Sequence, residues 1–131
     1  MIDEKKNELI AKARLAQKMS YAPYSNFHVG AAVRMDNGEI YIGTNIENAS
    51  YGLTICAERA AIFNAVSQGQ RKLTAIAITS SSGKPTPPCG ACRQVIREFS
   101  DSRALVIMAG KDQTFETKTI DELLPLSFVL K

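Results

Sequence analysis

The chain has 131 residues, a formal net charge of +3, 45% hydrophobic and 22% charged residues. That balance excludes a disordered chain, and no apolar run approaches the ~20 residues needed to span a bilayer. The sequence pI of about 8.8 comes from scattered cations, without the long basic runs of a nucleic-acid-binding face.

In chain order, the opening stretch Met1 to Glu8 is too charged for a signal peptide, so a cytoplasmic address is expected. Asp3 reads as a helix N-cap, and Leu9, Ile10, Ala13, Ala16 and Met19 follow as one apolar stripe at helical spacing. Ser20 and Pro23 end that helix. Phe27 to Met35 reads as a strand, Asp36-Asn37-Gly38 as a turn, and Glu39 to Gly43 as the returning strand. Cys56 to Ser67 is alanine-rich and helical, with Ala60, Phe63 and Val66 on its expected buried face and Gly69 as its stop. Leu73 to Thr79 is a short apolar strand. A breaker-rich loop from Thr79 to Pro88 then leads directly to Cys89. Cys92, Val95, Ile96 and Phe99 mark a second buried helix, Ala104 to Ala109 another apolar strand, and Thr114 to Thr117 a weaker edge strand. Thr119 and Glu122 have the spacing of a capping box for a short last helix, stopped by Pro125. Two strands apolar on both faces need cover on both sides. The expectation is therefore one domain over residues 1–131, an α/β fold of three layers, α/β/α.

The chemistry concentrates in two short stretches, Cys56-Ala57-Glu58 and Pro88-Cys89-Gly90-Ala91-Cys92, each opening a predicted helix. The cysteines number three, and an odd count argues against a disulfide framework. A Cys-x-x-Cys pair at a helix start puts two sulfurs about one turn apart, within reach of one tetrahedral zinc, and Cys56 can supply a third thiolate. With no fourth cysteine, one coordination position stays open to water, which marks a catalytic rather than a structural metal. Glu58 lies two residues after a ligand, placed to handle a proton of that water.

These motifs resemble the three-cysteine form of the zinc deaminase signature. The chain is similar to the small, homotetrameric cytidine deaminases over nearly its whole length. The resemblance rests on Tyr21-Ala22-Pro23-Tyr24-Ser25-Asn26-Phe27, Val29-Gly30-Ala31-Ala32, Asn45-Ile46-Glu47-Asn48-Ala49, Cys56-Ala57-Glu58-Arg59, Pro88-Cys89-Gly90-Ala91-Cys92-Arg93-Gln94 and Glu122-Leu123-Leu124-Pro125. It implies a mixed five-stranded sheet of the cytidine-deaminase type and one Zn²⁺ per subunit. It also implies hydrolysis of cytidine and deoxycytidine to uridine and deoxyuridine with release of ammonia, in pyrimidine salvage. Glu58 would carry the water proton to ring N3 and then help the 4-amino group depart.

By the same resemblance Asn45 and Glu47 hold the ribose 3′-hydroxyl, Phe27 packs beside the pyrimidine, and the Ala57 backbone meets the base edge. Tyr51 would lie near the 5′ end of the ribose, and Phe128 would enter a neighbouring subunit's pocket. A homotetramer whose sites are completed by neighbours follows, with a nucleoside as the small-molecule partner and neither nucleic acid nor membrane. Three thiolates around a divalent cation leave one net negative charge, which works against acidifying water. Two helix N-termini, Arg59 and, more weakly, Arg93 are the available correctives.

Competing readings attach to the same residues. His28, the only histidine, would complete a Cys₃His structural site in a zinc-stabilised binding module. On a strand, however, it would point away from the face Phe27 occupies. Cys89 and Cys92 alone would read as a redox dithiol, which leaves Cys56 and Glu58 unexplained. A deaminase of another aminopyrimidine nucleoside, such as a nucleoside antibiotic, shares every motif.

Overall fold

The computed structural model describes residues 2–130, so Met1 and Lys131 lie outside the described residues. Helix α1 (Ile2–Gln17) forms where the sequence lacks glycine, proline and any β-branched run, and it buries Leu9, Ile10, Ala13 and Ala16. Asp3 lies inside the first turn instead of capping it, where its charge still favours the positive end of the helix. Met19 departs from the expected stripe and is 63% exposed, because α1 ends at Gln17 and helical periodicity no longer aims Met19 at the core.

The remaining elements are β1 (Val29–Met35), β2 (Ile40–Thr44), α2 (Ala57–Ser67), β3 (Leu73–Ser80), α3 (Gly90–Glu98), β4 (Leu105–Ala109), β5 (Phe115–Thr119) and α4 (Ile120–Leu123). A short 3₁₀ turn, Tyr51–Leu53, is one that no periodicity announced. Strand β1 starts two residues later than expected, leaving Phe27 and His28 on the preceding loop. The capping box of α4 is present in both directions, Glu122 N–H to the Thr119 hydroxyl and Thr119 N–H to the Glu122 carboxylate.

The five strands form one mixed sheet in the order β2-β1-β3-β4-β5. Strands β3 and β4 are parallel, with Ile76 opposite Val106, and every other neighbouring pair is antiparallel. A parallel pair needs a crossover, and α3 supplies it. Alternation along the strands divides the core. Ala31, Val33, Ile76, Ile78, Val106 and Met108 join α2, α3 and α4 on one face. Ala32, Ala75, Ala77, Ile107 and Ala109 meet Leu9, Ile10 and Ala13 of α1 on the other. The result is the expected α/β/α layering.

Small residues bring the layers into backbone contact. A Cβ at Gly30 would stand 2.0 Å from the Ala13 carbonyl oxygen, and one at Gly43 would stand 2.2 Å from the Ala61 nitrogen. The contact at Gly43 sets the roll of α2, whose buried residues are Ala57, Glu58, Ala61, Ile62 and Ala65. That corrects the expected face of Ala60, Phe63 and Val66. Phe63 is 40% exposed, while Val66 packs against the core only in part. Alanine and other apolar residues lie on several sides of α2, so periodicity alone chose a face one residue out of register.

Candidate active site

Cys56 and Cys89 are the N-caps of α2 and α3. Both have extended backbones, and neither side chain accepts a hydrogen bond from its own helix. The sulfurs are therefore free to converge with that of Cys92 in the first turn of α3. All three Sγ atoms lie within 4.8 Å of one another, with Cys56 and Cys89 3.9 Å apart and no disulfide among them. Tetrahedral zinc with Zn–S bonds of about 2.3 Å separates its sulfurs by about 3.8 Å, so this donor set fits that ion. The Cys92 thiol donating to Cys56, together with the Arg59 guanidinium, pulls Cys56 down to about 5. The same shared hydrogen bond, with burial, pushes Cys92 up.

Cys56 and Cys89 form part of the wall of a cavity of about 220 Å³, lined also by Phe27, Asn45, Ala57 and Glu58. Glu58 is 5% exposed, and burial raises its carboxyl from 4.5 to about 7, with the Cys56 charge adding. A carboxyl poised near neutrality inside a cleft is suited to take up and release a proton.

Arg59 Nη2 donates to Cys56 Sγ at 3.2 Å, as the charge argument anticipated, and its buried Nε has no hydrogen-bond partner among the described residues. Arg93 differs. Its Nε donates to the Pro88 carbonyl at 2.9 Å and its Nη1 to that of Leu123 at 2.8 Å, so it braces the ligand loop and leaves the sulfurs alone.

Asn45, 8% exposed, faces the cavity but is also a bracket. Its Nδ2 donates to the Phe27 carbonyl at 2.8 Å, and its Oδ1 accepts from Val29 N–H at 3.0 Å and from the Ser20 hydroxyl. Glu47 is not among the lining residues. Its Oε1 accepts from the N–H groups of Tyr24 at 3.0 Å and Ser25 at 3.1 Å, and its Oε2 from the Ser25 hydroxyl. The Ser25 hydroxyl, with the two N–H groups, holds the Glu47 carboxyl below its usual range. Tyr51 is 67% exposed, stacked edge-on against Tyr24 outside the cavity. Phe128 is 68% exposed on the tail, away from its own chain's cavity, with its carbonyl held by Gln94.

His28 contacts the Ser20 hydroxyl at 3.0 Å and Asn26 Oδ1 at 3.2 Å. It stands apart from the cysteines, so it is no fourth ligand among the described residues. Sequence reasoning missed Val29, Thr54, Ile55, Thr86 and Pro87, which complete the cavity wall. Thr86 and Pro87 carried a signal, the proline-rich loop entering Cys89, and Val29 stood in a resemblance motif.

Residues 3–109 match the model of the cytidine and deoxycytidylate deaminase zinc-binding region. The chain is 48% identical over 120 residues to a cytidine deaminase of Halalkalibacterium halodurans, an alignment covering 92% of this chain and 91% of the relative. The chain belongs to the cytidine deaminase family. The fold of this deaminase agrees. A crystal structure of cytidine deaminase from Burkholderia pseudomallei superposes with a TM-score of 0.89 at 42% identity, covering 93% of this chain and 98% of that one. The enzyme from Mycobacterium tuberculosis gives 0.83 at 38% identity, covering 95% and 98%. This deaminase is accordingly a hydrolytic, zinc-binding enzyme with the family's mixed five-stranded sheet. Among the described residues no helix is long and apolar enough to cross a membrane.

Proposed function

We propose that the protein deaminates both cytidine and deoxycytidine, giving uridine and deoxyuridine plus ammonia, and that it serves pyrimidine salvage in the cytoplasm. The observation that carries this reading is the convergence of three sulfurs, two of them on the wall of a cavity that also holds the buried carboxyl of Glu58. Cys56, Cys89 and Cys92 hold one zinc, and Glu58 is the proton carrier. The ion, when bound, supplies the Lewis acidity that makes water nucleophilic near neutral pH.

Every other task falls to the chain. Glu58 takes the water proton, delivers it to ring N3 and assists loss of the 4-amino group. Its burial keeps bulk water from competing for that proton. Phe27 packs against the pyrimidine and Ala57 presents backbone groups to its edge. Asn45 takes a ribose hydroxyl with the donor its brackets leave free, and Glu47 contributes through its remaining acceptor capacity. Two apolar clusters sharing one sheet support a single domain over residues 1–131. Exposed Tyr24, Tyr51, Leu53 and Phe128 support a homotetramer in which Phe128 closes a neighbour's cavity and Tyr51 borders the ribose.

Ammonia release from cytidine, deoxycytidine and cytidine monophosphate, with and without a chelator, tests the reading. Both nucleosides are expected to react and the nucleotide to fail, since a carboxylate near the ribose repels phosphate. Chelator should stop both reactions. Glu58→Ala should abolish turnover while retaining metal, and turnover by that variant would overturn the assignment.

A further inference from the structure

Phe27 lines the cavity from a loop, not from a strand, so something other than the sheet must hold it there. Its backbone is fastened at both ends by side chains. The carbonyl accepts from Asn45 Nδ2 at 2.8 Å, and the N–H donates to Ser25 Oγ at 3.0 Å. Ser25 in turn donates its hydroxyl proton to Glu47 Oε2, and its own N–H goes to Glu47 Oε1 at 3.1 Å. Between Ser25 and Phe27 stands Asn26, whose φ of +56° lies in the left-handed region. The turn itself is closed by Asn26 N–H donating to the Ala22 carbonyl at 3.0 Å, and the Ser25 hydroxyl bridge is what ties it to both Phe27 and Glu47. Ser25 is exposed and lies outside the cavity wall, which separates its part from direct contact with a substrate.

We infer that Ser25 is a positioning residue for substrate binding, its hydroxyl transmitting the placement of the Glu47 carboxylate to the Phe27 wall of the cavity. The inference deepens the proposed site and rests on Phe27 packing against the base. The hydroxyl is used as donor and acceptor at once, so Ser25→Ala frees the Phe27 N–H and one Glu47 oxygen together. Ser25→Thr keeps both bonds.

Packing against the base acts on ground state and transition state alike, so loosening the wall raises KM and leaves kcat nearly unchanged. The experiment compares cytidine kinetics, zinc content and melting temperature of wild type, Ser25→Ala, Ser25→Thr and Phe27→Ala. The expected result is a KM raised about five- to ten-fold in Ser25→Ala, which loses both bonds of the hydroxyl bridge in a charged network. Wild-type KM is expected in Ser25→Thr, a raised KM in Phe27→Ala, and unchanged zinc in all. Raised KM in Phe27→Ala with unaltered KM in Ser25→Ala overturns the role of Ser25. Unaltered KM in Phe27→Ala overturns the reading of the wall itself, and Ser25 falls with it. A Ser25→Ala protein that melts earlier with KM unchanged assigns the serine to stability alone, which also overturns the inference.

Discussion

Arg59 reaches back one helical turn to donate to the Cys56 sulfur at 3.2 Å. A guanidinium on a thiolate draws electron density from it, which answers the surplus negative charge of a three-thiolate site. Arg59→Gln should therefore lower turnover about ten-fold or more while zinc per chain stays near the wild-type value, checked by ammonia release and metal analysis on one preparation. At Glu47, three donors favour the charged carboxylate, the Ser25 hydroxyl foremost. A carboxyl lowered in the folded state stabilises the protein above its unfolded value of 4.5, and that contribution is lost as pH falls through the folded value. Urea titrations should find Glu47→Gln less stable than wild type at neutral pH, with the gap narrowing as pH drops below 4.5. A gap that is constant with pH would mean that the charge is not what the loop uses.

At the scale of elements, the layers touch through glycine. Alanine at position 30 would drive its methyl into the α1 backbone at Ala13 and Gln17, which cannot yield as the end of a flexible side chain can. Gly30→Ala should cost about 1–3 kcal/mol of unfolding free energy, measured by urea denaturation. Activity per folded molecule should survive, since α1 lies on the sheet face opposite α2 and α3. Most elements were legible because their local chemistry agrees with the final fold. The capping box at Thr119 and Glu122 and the apolar runs of β3 and β4 needed no distant partner to be read. The start of β1 and the roll of α2 were not legible. The first depends on brackets from Asn45 and Glu47, residues distant in sequence. The second depends on a backbone contact with Gly43 that no helical periodicity contains.

For the whole molecule, zinc and the core are separable. Both apolar clusters extend well beyond the cysteines, along the sheet and α1. Chelation should abolish ammonia release while circular dichroism still reports a cooperative, if lower, melt. Simultaneous loss of both would place the metal in the fold itself. The tail makes a second test at this scale. Phe128 is 68% exposed in the chain by itself, and Phe128→Ala should lower kcat/KM about five-fold or more, equivalent to about 1 kcal/mol of lost contact. For the proposed tetramer, light scattering on the same sample should find an unchanged particle size, which distinguishes a gap in the proposed neighbour's pocket from dissociation.

Residue types and spacings alone determined the metal chemistry, because two cysteines one helical turn apart and a glutamate two places after a third carry their geometry locally. Alternating and continuous apolar runs determined the layered sheet for the same reason. Tertiary structure alone decided how the substrate wall is built. The family resemblance implies that Asn45 and Glu47 hold a ribose hydroxyl. Yet much of their hydrogen-bonding capacity goes to holding the loop that presents Phe27. Side chains choose among competing donors only when distant segments meet, and no local spacing records that choice.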